Sequence, residues 1–461
     1  MRLASAQKKY CRMPALPDLF VKRMRERLGD EISAFLDSLQ QTSPVSIRLH
    51  HQKGKCNYPL DNKVAWCKAG YYLQERPEFH LDPHWHGGAY YVQEASSMAL
   101  DYVLSQLRLE DKPRVWLDMC AAPGGKTGIL ASHMGPADIL IANEVVAQRR
   151  SVLYENLVKG GNQQMCITGL DAAAFSTPLA DIMLIDAPCA GEGMMRKDSA
   201  AVAQWNPGLV KSCSILQQQI VSKAIRCLQP GGYLVYSTCS YSDEENIVNV
   251  AHYCHEYGLS PISIEFPEEW GIVTAEYQGA MGYHFYPHRV RGEGLFIAVL
   301  QQNAQQTFQK KHGGKPTRGF DNLPPQVGLF LDHPEEYVVV KNHSSNPLIR
   351  KEAIEKAAEV WHSLPSAKWI CEAGEIKGKD FIPSPYLAMS GLYHHGDPQI
   401  GLDLDQALSY LERDTRGLPA DLPNGWYMVG YQQTVLGWAK HTQNGWKNHY
   451  PLPWRLRSRK K

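Results

Sequence analysis

The sequence has no run of about 18 apolar residues, the length that a helix crossing a membrane needs. Its opening, MRLASAQKKYCRMPALPD, also lacks the apolar core of a secretory signal. A cytoplasmic protein with no membrane partner is therefore expected. Cysteine occurs 11 times, an odd number, and never as C-x-x-C, so neither a disulfide framework nor a compact zinc knuckle is indicated. Histidines such as His84, His86, His394 and His395 lack metal-site spacing to other ligands, and no metal is expected. An excess of one charge is missing too: the formal net charge is +1, which neither supports nor excludes a nucleic-acid partner.

What is present is a chain of 461 residues, 44% hydrophobic and 21% charged, long enough for roughly two to four globular domains. Residues Leu16 to Gln40 carry apolar positions at three- and four-residue spacing, which predicts one or two amphipathic helices. SPVSIRLH alternates like a strand, and the second half of GGAYYVQEASSMALDYVLSQL is helical in pattern. From Arg114 onward short apolar strands alternate with helices, the sequence form of a doubly wound parallel sheet. The expected strands are RVWLDMC, DILIANE, MCITGL, DIMLIDAP, GGYLVYSTC and GLFIAVL, with a helix after Pro207. A polar stretch, QQNAQQTFQKKHGGKPTRG, reads as a linker. Beyond it a helix is expected around Leu348 to His362, then a Gly- and Trp-rich β-like region.

The string LDMCAAPGGKTGIL takes an apolar strand through a turn of small residues into a helix. A phosphate-binding P-loop would need Gly where Cys120 stands, and the dinucleotide pattern G-x-G-x-x-G is absent. A purely structural strand-to-helix turn remains open on this string alone. Glu144 ends the next strand, 19 positions after Gly125, where a doubly wound fold places an acid for ribose hydroxyls. Asp171 and Asp186 end the third and fourth strands. A single acid at a strand tip is ordinarily a helix cap. Three in succession beside such a turn favour an adenosine-type pocket, and without phosphate clamps S-adenosylmethionine fits better than a nucleotide.

Two cysteines, Cys189 in IDAPCAGEGMMRKD and Cys239 in YSTCSYSDEEN, each follow a strand end, beside Pro188 and Thr238. Alone, either would pass as a small buried core residue. Methylating C5 of a pyrimidine requires a nucleophile first added at C6, and a thiolate both adds and leaves. Removing the C5 proton then requires a base.

The blocks APGGKT, DAPCAGEG and STCSY resemble those of the NOL1/NOP2/Sun family of RNA 5-methylcytosine methyltransferases. GAYYVQEASSM and HRVRGEGLF resemble its flanking blocks, so residues 20 to 302 are covered, with Leu295 where an aromatic is common. The resemblance implies a Rossmann-like class I methyltransferase sheet with a small N-terminal α/β region and a C-terminal PUA-like β-rich domain. It implies Cys239 as nucleophile, Cys189 as the residue assisting proton removal and release, and Asp186 as the group holding the cytosine edge. It implies S-adenosylmethionine contacts from Cys120, Ala121, Ala122, Pro123, Gly124, Gly125, Lys126, Glu144, Asp171 and Asp186.

The LPDLF opening, the long C-terminal extension and VLGWAKHTQNGWKNHYP resemble the bacterial branch that methylates a cytosine in the decoding region of 16S ribosomal RNA. That branch acts on assembled 30S subunits and carries a PUA-like RNA-binding domain. The expected layout is an N-terminal RNA-binding region at 1–98 and a methyltransferase domain at 99–302. A linker at 303–322, an accessory domain at 323–382 and a PUA-like domain at 383–461 follow. A monomer with no DNA partner is expected. The terminal WRLRSRKK is either a phosphate-contacting arm or a solvated tail, Tyr90, Tyr91 and Arg196 are either RNA contacts or packing residues, and the histidines are either structural or RNA-contacting. Two rivals stand: a transfer-RNA cytosine methyltransferase with the same pocket, and a non-catalytic RNA-binding assembly factor.

Overall fold

The computed structural model describes residues 15–303, 319–393 and 399–459. His394, His395, most of the polar stretch after Gln302 and the last two lysines lie outside these. Two helices, Asp18–Leu28 and Ile32–Gln40, open the described chain and bury Phe20, Met24, Phe35 and Leu39 on one face. That face packs against Trp205, Tyr241 and Tyr286, with ring centroids 5.4 Å apart for Phe20 and Trp205 and 5.2 Å for Phe35 and Tyr241. Arg23 and Arg27 pair with Glu244 and Asp243. The helices therefore brace the chain just after Cys239.

Strands Val45–Leu49 (β1), Gly70–Leu73 (β2) and Tyr90–Val92 (β3) form an antiparallel sheet in the order β2-β1-β3. The segment Tyr90 to Met98 then meets the closing block of the central sheet, where Glu293 N–H donates to Glu94 at 2.8 Å.

The central sheet is built from strands whose residues are almost wholly buried, which is why they read as unbroken apolar runs. They are Val115–Asp118 (β4), Ile139–Asn143 (β5), Met165–Thr168 (β6), Ala180–Asp186 (β7) and Leu228–Thr238 (β8). Ser260–Pro261 (β9), Val273–Tyr277 (β10), Ala280–Phe285 (β11) and Leu295–Gln301 (β12) extend it. The order is β10-β11-β12-β8-β7-β4-β5-β6, with β4 to β8 parallel and β9 paired to β12. All six expected strands form. From β4 the chain runs outward to β6 and then returns to β7 on the other side, so a ligand crevice opens where β4 and β7 end.

The hairpin β10/β11 was not among the expected strands. Its turn residues Gln278 and Gly279 have φ of 49° and 79°, the left-handed pair that a two-residue hairpin uses.

Beyond the central sheet lie Phe320–Asn322 (β13), Tyr337–Val340 (β14) and Leu348–Arg350 (β15), one small antiparallel sheet. The helix expected from Leu348 starts instead at Ile354 and runs to Ser363. Leu348 and Ile349 are buried as strand residues against β14, and helical spacing takes over only after them. Residues 320 to 322, read as linker, form the strand β13.

Lys368–Trp369 (β16) pairs antiparallel with β6 and closes that edge of the central sheet. A hairpin of Gly374–Lys377 (β17) and Asp380–Pro383 (β18) follows, and the sheet Ile400–Leu402 (β19), Gly425–Tyr431 (β20), Thr434–Thr442 (β21) and Gly445–Asn448 (β22) completes the chain. This last sheet docks on the N-terminal region: His84 Nδ1 lies 2.7 Å from Thr434 Oγ1, and His86 Nδ1 lies 3.3 Å from the Tyr450 hydroxyl. Both histidines are buried structural residues.

Trp369, 1% exposed, anchors the edge strand. Trp369→Ala should destabilise the protein by about 3–5 kcal/mol through cavity formation, read as a lower denaturation midpoint in urea; an unchanged midpoint would show that the edge contributes little.

Candidate active site

The loop from Asp118 to Gly124 is fixed by both neighbouring strands. Met119 N–H donates to Leu184 O and Ala121 N–H to Asn143 O, each at 2.9 Å. Gly124 has φ 112°, a conformation that side-chain-bearing residues rarely adopt, and it starts the helix Gly125–Ser132. Ala121 and Ala122 are buried, Pro123 is exposed and Cys120 is half-buried. Burial pushes the Cys120 thiol up, so it is uncharged at neutral pH.

Asp118 is buried. Its Oδ2 accepts from Thr127 Oγ1 at 2.7 Å, while Oδ1 has no partner among the described residues. Burial raises its pKa to about 7, against the hydrogen bond from Thr127.

Glu144 is buried beside this loop, accepts from Val146 N–H at 2.9 Å and pairs with Arg149 at 3.1 Å. Arg149 in turn donates to Ala122 O at 2.7 Å, which ties the acid to the loop. Asp171 is exposed, caps the turn at Ala173 and faces Lys223 at 3.2 Å. That N–H and then the lysine lower its pKa.

Asp186 ends β7. Its Oδ1 accepts from Ser237 Oγ at 2.7 Å and its Oδ2 pairs with Lys126 Nζ at 2.8 Å. Burial works to lower the lysine's pKa, but attraction to Asp186, with a smaller share from Cys239, leaves it raised. Lys126 is thus a fixed cation between a carboxylate and a sulfur.

The Sγ atoms of Cys189 and Cys239 are 3.0 Å apart and both residues are partly exposed. The hydrogen bond to Cys239, then burial, pushes the Cys189 thiol well up. Cys189 therefore holds its proton at neutral pH.

Two buried acids behind the cysteines hold this geometry. Glu245 accepts from Ala190 N–H at 3.0 Å, Gln217 Nε2 at 2.8 Å and Ser240 Oγ at 2.7 Å, and so grips the residue after each cysteine. Glu192 accepts from Tyr241 N–H and Ser242 Oγ at 2.7 Å and from Trp205 Nε1 at 2.8 Å. Ser240 Oγ also lies 3.0 Å from Glu192, yet has one proton for two acids. Burial, with repulsion from Glu192 as a lesser cause, raises Glu245 to about 7, so a proton of its own fills the deficit.

Glu192, Glu245 and Ser237 were not singled out from the sequence. AGEG and SDEEN look like solvated charge, and only their burial reveals the role. Of the residues read as RNA contacts or packing, Tyr90 is packing: it is buried and donates to Asp82 at 2.6 Å. Arg196 is packing too, its guanidinium spent on the carbonyls of Gln41, Thr42 and Gly292 at 2.9–3.0 Å. Tyr91 is partly exposed.

Residues 104–301 match the family model of the 16S rRNA methyltransferase RsmB/F. The model of the N-terminal domain of 16S rRNA methyltransferase RsmF matches residues 16–95, and that of the RsmF PUA domain matches residues 398–456. The chain belongs to the RsmB/F methyltransferase family.

Among RsmB/F relatives, the ribosomal RNA small subunit methyltransferase F of Erwinia tasmaniensis is 33% identical over 327 residues, 65% of this chain and 67% of that protein. The Shewanella loihica protein of the same name is 27% identical across 96% of this chain and 90% of its own. A crystal structure of a methyltransferase homolog from Pyrococcus horikoshii, 24% identical, covers 62% of this chain and 94% of that chain with a TM-score of 0.52. NSun6 from the same organism, 19% identical, covers 63% of this chain and 99% of its own with a TM-score of 0.53. These two show the fold. An RsmB/F enzyme with this class I sheet calls for an S-adenosylmethionine-type methyl donor.

Because the folded pKa of Asp118 lies above its ordinary value of 3.8, its contribution to stability is full at low pH and is lost as pH rises through about 7. Asp118→Asn keeps an acceptor for Thr127 and removes the titration. Between pH 4 and 7 the wild-type Tm should fall relative to that of the variant; a difference independent of pH would contradict a buried, protonatable Asp118.

Proposed function

We propose that this enzyme methylates C5 of a cytosine in 16S ribosomal RNA, with S-adenosylmethionine as donor, through a covalent bond between Cys239 and C6. The observation carrying this reading is the pair of sulfurs 3.0 Å apart at the tips of adjacent parallel strands, beside the Asp186 to Lys126 ion pair.

The donor suits the residues around the loop. Asp118, with an orphan carboxylate oxygen, and buried Glu144 suit a cationic ligand with ribose hydroxyls. Ala121, Ala122, Gly124 and Gly125 let the backbone approach it, while Cys120, Pro123, Lys126 and Asp171 stand at its edges. When bound, the donor supplies an electrophilic methyl group.

The target base must leave its stack, since C6 is attacked above the ring plane. Asp186, positioned by Ser237, accepts from the amino edge of the cytosine. The Cys239 thiolate, stabilised by the Cys189 S–H and the Lys126 ammonium, adds to C6, and the C5–C6 electron pair moves to C5. Once C5 has accepted the methyl group, Cys189 gives up its own proton to solvent and, as the thiolate, takes the C5 proton. The C6–S bond breaks, its electrons leave with Cys239, and the ring double bond returns. A high pKa makes the Cys189 thiolate the stronger base for this step.

The small-subunit substrate is supported by the names of the relatives, and RNA binding by the match to a PUA domain. On this reading the N-terminal and C-terminal regions bind the RNA, the substrate is the assembled 30S subunit and the enzyme acts as a monomer in the cytoplasm.

Cys239→Ala should lower methylation by roughly 10⁴-fold or more, whereas Cys189→Ala should accumulate an enzyme–RNA adduct that survives a denaturing gel. Labelled donor should mark 16S RNA in 30S subunits. Labelling of transfer RNA alone would reject the ribosomal substrate, and loss of adduct in Cys189→Ala would reject the division of roles.

A further inference from the structure

Arg48, in β1, is buried, and no carboxylate bonds it. Its Nε donates to Gln93 Oε1 at 2.9 Å and its Nη2 to Gly125 O at 3.4 Å, both neutral acceptors. Asp101 attracts it through space, but that carboxylate bonds His133 at 2.8 Å. Nη1 has no hydrogen-bond partner among the described residues. An enclosed guanidinium without a counterion is costly unless an anion answers it.

Arg48 lines a cavity between the N-terminal sheet and the helix Ala147–Gly160, on the flank of the Gly-rich loop at Gly124. His50 is on the same wall. Its Nδ1 accepts from the N–H groups of Gln52 and Lys53, each at 3.3 Å, so the ring proton sits on Nε2 as a further donor. Lys159 is already answered: its ammonium bonds Glu155 at 2.6 Å and sits over the rings of Trp85 and Trp454 at 5.0 and 5.6 Å. Arg48 is therefore the cation left open.

The other wall is aromatic. Tyr91 and Trp85 are shared with a second cleft that runs on past Arg76, Phe79 and His80, where the Arg76 guanidinium lies 5.6 Å from the Phe79 ring centre. Alternating cations and rings along one groove suit a single nucleic-acid strand, with phosphates on the cations and bases on the rings. An inorganic anion would use only half of such a groove.

We infer that this cleft holds the RNA strand flanking the target cytosine, with one phosphodiester on Arg48 and a neighbouring base stacked on Tyr91. The inference rests on the RNA substrate proposed above and adds a subsite on the N-terminal face of the Gly-rich loop.

The test uses the full-length enzyme, labelled S-adenosylmethionine and 30S subunits. Tyr91→Leu should raise KM for RNA about tenfold, the size of one lost base stack, with KM for S-adenosylmethionine unchanged. Arg48→Gln should lower the salt dependence of RNA binding by about one phosphate contact. If Arg48→Gln does not fold, ultraviolet cross-linking of the wild-type protein to 16S RNA decides, and adducts should fall in the peptide from Trp85 to Tyr91. Unchanged RNA KM in Tyr91→Leu, an RNA KM that rises only in step with that for S-adenosylmethionine, or cross-links confined to other surfaces would each overturn the subsite. A wild-type enzyme that fails to methylate 16S RNA would instead sink the proposed function, while the cross-link still reports on the cleft.

Discussion

Everything at the candidate active site depends on β7 and β8 being neighbours that run in the same direction. Parallel pairing brings Asp186 opposite Ser237, so the two chain exits leave the sheet side by side and carry Cys189 and Cys239 into contact. Sheet pairing alone does not fix a loop three residues further on. That precision comes from Glu192 and Glu245, which bond the backbone and side chains immediately after each cysteine. Buried carboxyls are expensive, and these are tolerated because each of their oxygens has a hydrogen-bond partner.

The same logic extends outward. The N-terminal helices reach across to brace the chain after Cys239 through Phe35 against Tyr241 and through the Arg23 and Arg27 ion pairs. The C-terminal sheet reaches back to the N-terminal region, where buried His84 and His86 meet Thr434 and Tyr450. Lys53 joins three elements at once by donating to the carbonyls of Gly87, Lys159 and Met389. The N-terminal and C-terminal regions, far apart in sequence, are in this way held in fixed relation to the crevice.

Much of this was legible in the residues. Strands buried on both faces announce themselves as apolar runs, so β4 to β8 and β12 were found, and strand-tip residues such as Cys189 and Cys239 stood out because turns of small residues surround them. VTAEY does alternate, but over only five residues that stay half-exposed or exposed, so the hairpin β10/β11 does not stand out from loop in the sequence. The strand β15 is hidden in the sequence because LIRKEAIEKAAEVWH continues a helical spacing that only pairing with β14 interrupts. Glu192 and Glu245 were invisible for a different reason: an acid in a polar loop looks solvated until tertiary contacts bury it. For Arg196 and Tyr90 the sequence leaves RNA contact and packing both open, since a cation and a ring near a pocket look the same whether or not their polar atoms are already spent.

The two-residue strand β16 has a bearing on how the molecule is made. Its partner β6 ends at Thr168 and Trp369 lies about 200 residues later, so at about 5–20 residues per second a ribosome completes β6 roughly 10–40 s before its covering strand emerges. Through that interval the nascent sheet exposes an apolar edge whose unpaired N–H and C=O groups invite another chain. Biogenesis, rather than turnover, is then where loss of the accessory segment would first be felt.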